Sequence, residues 1–365
     1  MKKISVDLGE RRYDILVGTG ILKGLGRELR RREMGARPVV ISNATVFKRH
    51  GAAVKRALVS AGYAPATLTV ADSETSKSLP TLCRLLDQLA RLDHPGRRLF
   101  LVLLGGGVVG DLGGLAAGLY RRGICYAQVP TTLLAQVDSS IGGKTAVDLP
   151  HGKNLVGLFY QPRLVLSDLR FLRTLPGRQF RSGLAEVIKC GVVGDERLFS
   201  FLERTSVEAL RRDEKALEWV ISRAVRIKVS VVQSDELETR ALRTLLNFGH
   251  TFGHAVEAAV GFGRSFTHGE AVALGMQVAS DISCRLGKLP ERERRRIADL
   301  IRRMGLPVRA KGVALSGVLK AMAHDKKWTK GKNRWVLPDR IGRCVVRQDV
   351  PERAVNAAIL RILEG

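Results

Sequence analysis

The sequence is poor in several residue types, and each shortage argues against a class of protein. Its five cysteines are odd in number, scattered and without a CxxC pair, which indicates reduced thiols rather than a disulfide framework. No apolar run approaches the roughly 18 residues of a membrane span, and the charged start MKKISVDLGERRYD lacks the apolar stretch of a secretory signal. We therefore predict a soluble, cytoplasmic protein with no membrane partner.

Acidic residues are also scarce relative to basic ones, and the formal net charge is +26. Such a charge attracts nucleic acid or a small polyanion. Much of it lies in the helical runs Arg27 to Arg32 and Glu291 to Arg303, which are typical of solvated faces. Aromatics make up only 5%, and no basic stretch is interleaved with them for base stacking. The charge reflects either the composition of an arginine-rich proteome or a small anionic substrate. We favour the substrate over specific nucleic-acid binding.

The length of 365 residues predicts two domains, because one hydrophobic core rarely grows beyond about 250 to 300 residues. The first part alternates helical segments with short apolar runs, a rhythm typical of a parallel α/β sheet, and residues 3 to 18 indicate a hairpin. From Gln179 onward the periodicity is helical. The predicted domains are residues 1–178, an α/β domain, and residues 179–365, a helical domain.

A glycine-rich turn follows the apolar run Leu99 to Leu104. Its bare amides, at Gly105 to Gly110, can approach a phosphate where a helix begins, although close packing of strand and helix explains the glycines equally well. The next strand ends in two hydroxyls, Thr131 and Thr132. Beyond it, Ser139 to Asn154 is predicted to be a long polar loop. Its two lysines, Lys144 and Lys153, are suited to phosphate or carboxylate oxygens.

Three of the seven histidines fall within nineteen residues, at His250, His254 and His268. On a helix His250 and His254 stand at i and i+4 and share one face. Converging imidazoles indicate a metal site, but histidines also cap helices or satisfy core hydrogen bonds. Similarly, Glu186 and Lys189 in the apolar segment LAEVIKCGVV form either a mutual ion pair or part of a site. A metal beside the histidines would satisfy Glu186.

Several motifs together resemble the 3-dehydroquinate synthase family. They are GGGVVGD, QVPTTLLAQVDSSIGGKTAVD, GKNLVGLFYQP, SGLAEVIK and LLNFGHTFGHAVEA with THGEA, and the match runs from about Asn43 to Lys327. The resemblance implies a Rossmann-like NAD-binding parallel-sheet domain and a C-terminal helical metal-binding domain, with the active site in the cleft between them. It also implies a homodimer.

The resemblance further implies a carbon–oxygen lyase that converts 3-deoxy-D-arabino-heptulosonate 7-phosphate to 3-dehydroquinate and phosphate, in the shikimate route to aromatic amino acids. In this family NAD oxidises the C5 alcohol transiently, phosphate leaves by β-elimination, the hydride returns and an intramolecular aldol step closes the ring. A divalent ion, usually zinc or cobalt, would be held by Glu186, His250 and His268, and His254 would not be a ligand.

Residues that contact the sugar-phosphate substrate are implied in the same way. His254 and Lys189 would lie against it with Asp138 near the reacting ring, whereas Arg243 and Lys228 would bind its carboxylate. Phosphate contacts would come from Lys144, Asn154, Asn247, Lys326 and Lys327, and from Arg122 across the dimer. The implied NAD contacts are Asn43, Asp72, Glu74, Lys77, Gly107, Val108, Val109, Gly110, Asp111, Thr131, Thr132, Lys144, Lys153, Phe171, Leu172, Arg173 and Thr174.

Three alternatives remain at this point. A sister cyclase acting on sedoheptulose 7-phosphate would have no carboxylate to bind, whereas the residues that together match the dehydroquinate pattern here are Arg243, Asn247, His254, Lys326 and Lys327. The metal-dependent polyol and alcohol dehydrogenases use an aspartate with histidines and release NADH, whereas the acidic ligand here is Glu186. A basic nucleic-acid-binding protein would need no metal and would bind DNA in a steeply salt-dependent way.

Overall fold

The computed structural model describes residues 1–261, 265–324 and 334–364. The chain forms two compact units. The sheet unit consists of Met1–Leu175 and Leu217–Val225, and the helical unit of Pro176–Ala216 and Arg226–Gly365. The strands are β1 Lys2–Val6, β2 Tyr13–Gly18, β3 Arg37–Asn43, β4 Ala66–Val70, β5 Leu99–Gly105, β6 Tyr126–Pro130, β7 Lys144–Leu149, β8 Gly152–Phe159, β9 Leu164–Asp168, β10 Trp335–Arg340 and β11 Arg343–Arg347.

The helices of the sheet unit are α1 Leu25–Arg31, α2 Ala44–Val46, α3 Ala52–Val59, α4 Leu79–Leu92 and α5 Gly107–Leu119. The helical unit contains α6 Gly177–Gly194, α7 Glu196–Glu203, α8 Val207–Arg212, most of α9 Glu214–Ser234, α10 His250–Ala259, α11 His268–Arg285, α12 Glu291–Arg303, α13 Leu315–His324 and α14 Glu352–Glu364. Short 3₁₀ segments include Tyr120–Arg122, Leu169–Thr174 and Leu242–Asn247.

The main sheet has seven strands in the order β1-β2-β9-β6-β5-β3-β4. Only the β1–β2 pair is antiparallel, and all other neighbours are parallel. Both faces are covered, as parallel sheets require. In β5 the alternate residues Phe100, Val102 and Leu104 join one core cluster, whereas Leu101 and Leu103 join the cluster on the opposite face. The predicted parallel α/β sheet is confirmed.

Two hairpins were not anticipated. The predicted loop Ser139 to Asn154 is wrong for most of its length, because β7 and β8 pair as an antiparallel hairpin in which Lys144 faces Phe159. In the helical unit, which is helical as predicted, β10 and β11 form a second antiparallel pair. Trp335 of this pair is buried, and the Ser283 hydroxyl of α11 donates to the Pro338 carbonyl. This hairpin is therefore part of the core around α11.

Glycines allow three helices of the helical unit to approach closely. An added methyl group at Gly275 in α11 would overlap the carbonyl oxygen of Gly249, which directly precedes α10. A methyl group at Gly269 would likewise overlap the Ser182 carbonyl oxygen of α6. The Gly269 amide also donates to the Ser182 hydroxyl at 3.1 Å. Backbone contact of this kind excludes any side chain at both positions.

Among the described residues, no helix is long and apolar enough to cross a membrane. The five cysteines all lie within the described residues and form no disulfide.

We expect Gly275→Ala to destabilise the protein strongly, because its methyl group has no space beside Gly249. Overpacking of a core costs about 1–3 kcal/mol, and backbone overlap belongs at or above the upper end of that range. Gly317→Ala in α13 is the matched control, since its methyl group would meet Ala259 at an ordinary 3.5 Å. Thermal unfolding of both variants checks the prediction, and a Gly275→Ala protein as stable as Gly317→Ala would contradict it.

Candidate active site

The cofactor-binding candidates lie where the parallel strands end. Asn43 is the last residue of β3, Asp72 follows β4, and Gly107 opens α5 directly after β5. Thr131 and Thr132 follow β6, and Phe171 to Thr174 follow β9. Because these strands are parallel and adjacent, all five loops emerge at the same edge of the sheet. That carboxyl edge is where ligands bind in open α/β sheets.

Hydrogen bonds connect these loops. The Asn43 side chain donates to Asp72 at 3.0 Å, and its oxygen accepts from the Val46 amide. Lys77 is 5% exposed and donates to Asp111 at 2.8 Å and to Asn154 at 2.6 Å. Burial alone lowers the pKa of Lys77, but Asp111 and Glu74 raise it above its ordinary value, so the lysine stays charged.

The turn between β5 and α5 is tightly packed at two of its glycines. A methyl group at Gly106 would press on Thr132 at 3.2 Å, and one at Gly107 on the Ser139 hydroxyl at 3.2 Å. No side chain caps the start of α5. The hydroxyl oxygen of Thr131 is buried and has no hydrogen-bond partner within the part of the chain that the structure describes. These features fit a ligand whose phosphates meet helix amides and a hydroxyl.

Other predicted residues of the sheet unit lie elsewhere. Arg122 is in the turn after α5 and precedes β6, so it is at the amino edge of the sheet, and it adopts a left-handed φ of 61°. Asp138 is half-buried in the π-helical segment Ala135–Ser139. Lys144 is exposed at the start of β7, and Lys153 lies 3.6 Å from the Glu74 carboxylate.

The three predicted metal ligands converge in the helical unit. Glu186 comes from the middle of α6, whereas His250 and His268 are the first residues of α10 and α11. Ligand atoms of all three lie within 4.8 Å of one another. The Nε2 atoms of His250 and His268 are each 3.6 Å from Glu186 Oε1. Two atoms that bind one tetrahedral zinc ion at 2.0–2.2 Å lie about 3.4 Å apart, so the donor set fits such an ion.

Both imidazoles are oriented by a partner on Nδ1. His250 Nδ1 lies 3.3 Å from the Phe248 carbonyl oxygen, and His268 Nδ1 lies 3.2 Å from Glu257 Oε2. Burial alone lowers the pKa of His268, but its contacts with Glu186 and Glu257 outweigh this and raise the pKa to about 10. A divalent cation therefore competes with a proton at this ring.

The start of α11 is held in place by its own cap. Thr267 and Glu270 form a capping box, in which the Thr267 amide donates to Glu270 at 2.8 Å. Arg178 donates two hydrogen bonds to the Glu270 carboxylate, at 2.8 and 2.7 Å, and a third to the Ser265 carbonyl. Because His268 follows Thr267 directly, this network fixes the backbone of a metal-ligand candidate.

The alternatives for Glu186 and Lys189 coexist. Lys189 pairs with Glu186 Oε2, while Oε1 of the same carboxylate faces the imidazoles. Both side chains are at most 2% exposed. The Glu186 carboxylate thus takes part both in an ion pair with Lys189 and in the group of side chains that could bind a metal ion.

Two further cations predicted to bind substrate are also buried, namely Lys228 on α9 and Arg243. Arg243 donates to the Glu236 carbonyl at 2.7 Å, and its amide donates to the Asp235 carboxylate. Asn247 is half-buried and His254 is exposed. Lys326 and Lys327 lie outside the described residues.

Glu257 was missed by the sequence analysis. It follows His250 and His254 at i+7 and i+3, a spacing that places all three on one helix face, and this is the signal that could have identified it. It is 3% exposed and contacts His268. His254, Glu257 and His268 form a second donor set whose atoms lie within 4.8 Å. Two possible donor sets therefore share His268.

Solved structures of similar fold include two cyclases. A 2-deoxy-scyllo-inosose synthase complexed with carbaglucose-6-phosphate, NAD+ and Co2+ is 28% identical, with a TM-score of 0.88, and the match covers 99% of this chain and 100% of that chain. The 2-epi-5-epi-valiolone synthase ValA from Streptomyces hygroscopicus subsp. jinggangensis 5008, with NAD+ and Zn2+ bound, is 32% identical with a TM-score of 0.86. That match covers 99% and 98% of the two chains.

Sequence comparisons agree with the predicted family. The profile of the 3-dehydroquinate synthase N-terminal domain matches residues 67–182, and that of its C-terminal domain matches residues 183–328. A curated 3-dehydroquinate synthase from Pelotomaculum thermopropionicum is 48% identical over 350 residues, which cover 95% of this chain and 93% of the relative. The chain belongs to the 3-dehydroquinate synthase family.

Proposed function

We propose that this enzyme converts 3-deoxy-D-arabino-heptulosonate 7-phosphate to 3-dehydroquinate and phosphate in the cytoplasm, with NAD bound by the sheet unit and a divalent metal by the helical unit. The observation that carries the proposal is the convergence of Glu186, His250 and His268, with both Nε2 atoms 3.6 Å from one carboxylate oxygen. It occurs in a chain 48% identical to a curated 3-dehydroquinate synthase.

Each bound group supplies one piece of chemistry. NAD, when bound, would supply a reversible hydride acceptor for the substrate alcohol, with no net redox change over the cycle. Glu186, His250 and His268 would hold zinc or cobalt, which would supply a Lewis acid for substrate hydroxyls. The Thr131 hydroxyl and the amides of the glycine turn bind the cofactor's phosphates, and Asn43, Asp72 and Lys77 keep the loops around it in place.

The chain's own cations hold the substrate by its two charged ends. Arg243 and Lys228 bind the carboxylate, and Lys144, Asn154 and Asn247 bind the phosphate, with Arg122 acting from a partner subunit. Lys189, His254 and Asp138 lie beside the ring that forms. In the β-elimination, the leaving phosphate takes the C6 proton and the electron pair of the C7–O bond, and a double bond forms between C6 and C7. After the hydride returns, the hemiketal C–O bond breaks to give a ketone and an enol, and the enol carbon bonds to the ketone carbon to close the new ring. Fixed charges that need no reorganisation are the main source of catalysis in such a site.

Phosphate release measures this function directly. With catalytic NAD+, we expect release from 3-deoxy-D-arabino-heptulosonate 7-phosphate, loss of activity after chelation, and recovery with Zn2+ or Co2+. 3-Dehydroquinate should form without accumulating NADH. Sedoheptulose 7-phosphate, tested in parallel, should not react. If only sedoheptulose 7-phosphate reacts, the enzyme is a sister cyclase with that substrate. Accumulation of NADH would indicate a dehydrogenase.

The carboxylate site is tested by Arg243→Ala. Loss of a charged, bidentate contact made in the transition state should cost about 2–4 kcal/mol, which lowers kcat/KM roughly 30- to 1,000-fold. Arg240→Ala is the control, because it removes an exposed guanidinium from the same loop. Steady-state kinetics in which the two variants behave alike would contradict the assignment.

A homodimer is the last part of the proposal. Large apolar side chains are exposed at Leu119, Leu155, Leu158 and Phe159, on the end of α5 and on β8, with exposed fractions of 37–45%. Exposed apolar groups close together are typical of protein interfaces. Arg122 follows Leu119 by three residues, which supports its action across the interface.

Leu119→Asp should therefore weaken dimerisation, because a carboxylate would be desolvated at the interface. Sedimentation velocity at several protein concentrations measures the change. Val59→Asp is the control, since Val59 is 58% exposed at the end of α3 and lies outside the proposed surface. Equal effects of the two substitutions, or a monomeric wild-type enzyme, would refute the interface.

A further inference from the structure

We propose that Glu257 is a positioning residue that fixes the His268 ring for metal binding and thereby directs the metal to Glu186, His250 and His268. This inference rests on the proposed function only in assuming that the helical unit binds a divalent metal. Glu257 itself is not a ligand in this scheme. It acts through the imidazole that it contacts.

The geometry of His268 supports this role. Glu257 Oε2 lies 3.2 Å from Nδ1, whereas the Nε2 atom of the same ring lies 3.6 Å from Glu186 Oε1. An ionised carboxylate only accepts hydrogen bonds, so the proton of the neutral ring must sit on Nδ1. The lone pair is then on Nε2, which is the atom that faces Glu186. Such carboxylate–histidine contacts set the tautomer and raise the basicity of a metal-binding imidazole.

His268 needs this contact more than His250 does. The His250 ring is buried, and its Nδ1 faces the Phe248 carbonyl, two residues away in the same chain segment. The His268 ring is 29% exposed, so packing restrains it less. Glu257 is 3% exposed and lies on α10, not on α11 with His268. Glu257 of α10 therefore restrains the His268 ring of α11.

The same contact decides between the two donor sets. In the alternative set, His254, Glu257 and His268 would bind the ion and Glu257 would become a ligand. His254 is exposed, however, whereas Glu186 and His250 are buried. A site formed by buried ligands that converge on one oxygen is better preorganised. Because Glu257 accepts a hydrogen bond from Nδ1–H, Nε2 remains as the metal-binding atom of His268.

The test measures Co2+ binding to the full-length apoprotein by competition with a chromophoric chelator and by the visible absorption spectrum of the bound ion. Glu257→Ala should weaken Co2+ binding about 10- to 100-fold, the usual effect of losing an outer partner of a ligand, and should alter the spectrum. Glu257→Gln should lose less, because its amide oxygen still accepts from Nδ1. His254→Ala should bind Co2+ like the wild type.

Glu203→Ala is the matched control, since Glu203 is a carboxylate of the same unit that pairs with Arg296 and not with a histidine. If Glu257→Ala does not fold, as judged by circular dichroism, Glu257→Asp replaces it, because the shorter side chain withdraws the carboxylate from Nδ1. Unchanged Co2+ affinity in that variant, or in Glu257→Ala, would overturn the inference. So would an equal loss in His254→Ala, which would make Glu257 a ligand. Failure of the wild type to bind Co2+ would instead refute the metal part of the proposed function.

Discussion

The cluster of Glu186, His250 and His268 depends on close backbone contact between three helices. Gly269 brings the start of α11 against Ser182 of α6, one turn before Glu186, and Gly275 brings α11 against Gly249 at the start of α10. Each glycine contact is thus adjacent to a ligand in sequence or within about one turn of it. Helices separated by ordinary side chains lie 8–10 Å apart. The absence of side chains at these contacts allows a carboxylate and two imidazoles from three helices to share one point.

The carboxyl edge of the sheet follows a different physical rule. In a parallel sheet every strand ends at the same edge, so residues far apart in sequence are brought together by topology alone. Asn43 and Asp72, or Lys77 and Asp111, meet because β3, β4 and β5 are neighbours. Lys77 joins these loops through its hydrogen bonds to Asp111 and Asn154. The two candidate sites therefore arise in different ways. Strand order brings the residues together in the sheet unit, and close helix contact does so in the helical unit.

Sequence patterns predicted the regular parts of the fold well. The apolar run Leu99 to Leu104 forms β5, which is buried along its whole length, because a strand covered on both faces is apolar at every position. The hairpin of β7 and β8 was missed because its glycines and lysines resemble a loop. Glu257 was missed for another reason. Its spacing places it on the helix face of His250 and His254, but its contact with His268 on a different helix cannot be read from one sequence.

The charges around the cluster explain why a divalent ion suits it. Glu186 and Glu257 bring two negative charges to the imidazoles, and Lys189 brings one positive charge. A dication changes the sum for these three side chains from one net negative to one net positive charge. His250 and His268 also begin their helices, where the positive end of the helix dipole weakens the binding of cations. The carboxylates offset this effect, and the resulting positive site favours the hydroxyl oxygens of an anionic substrate over a second cation.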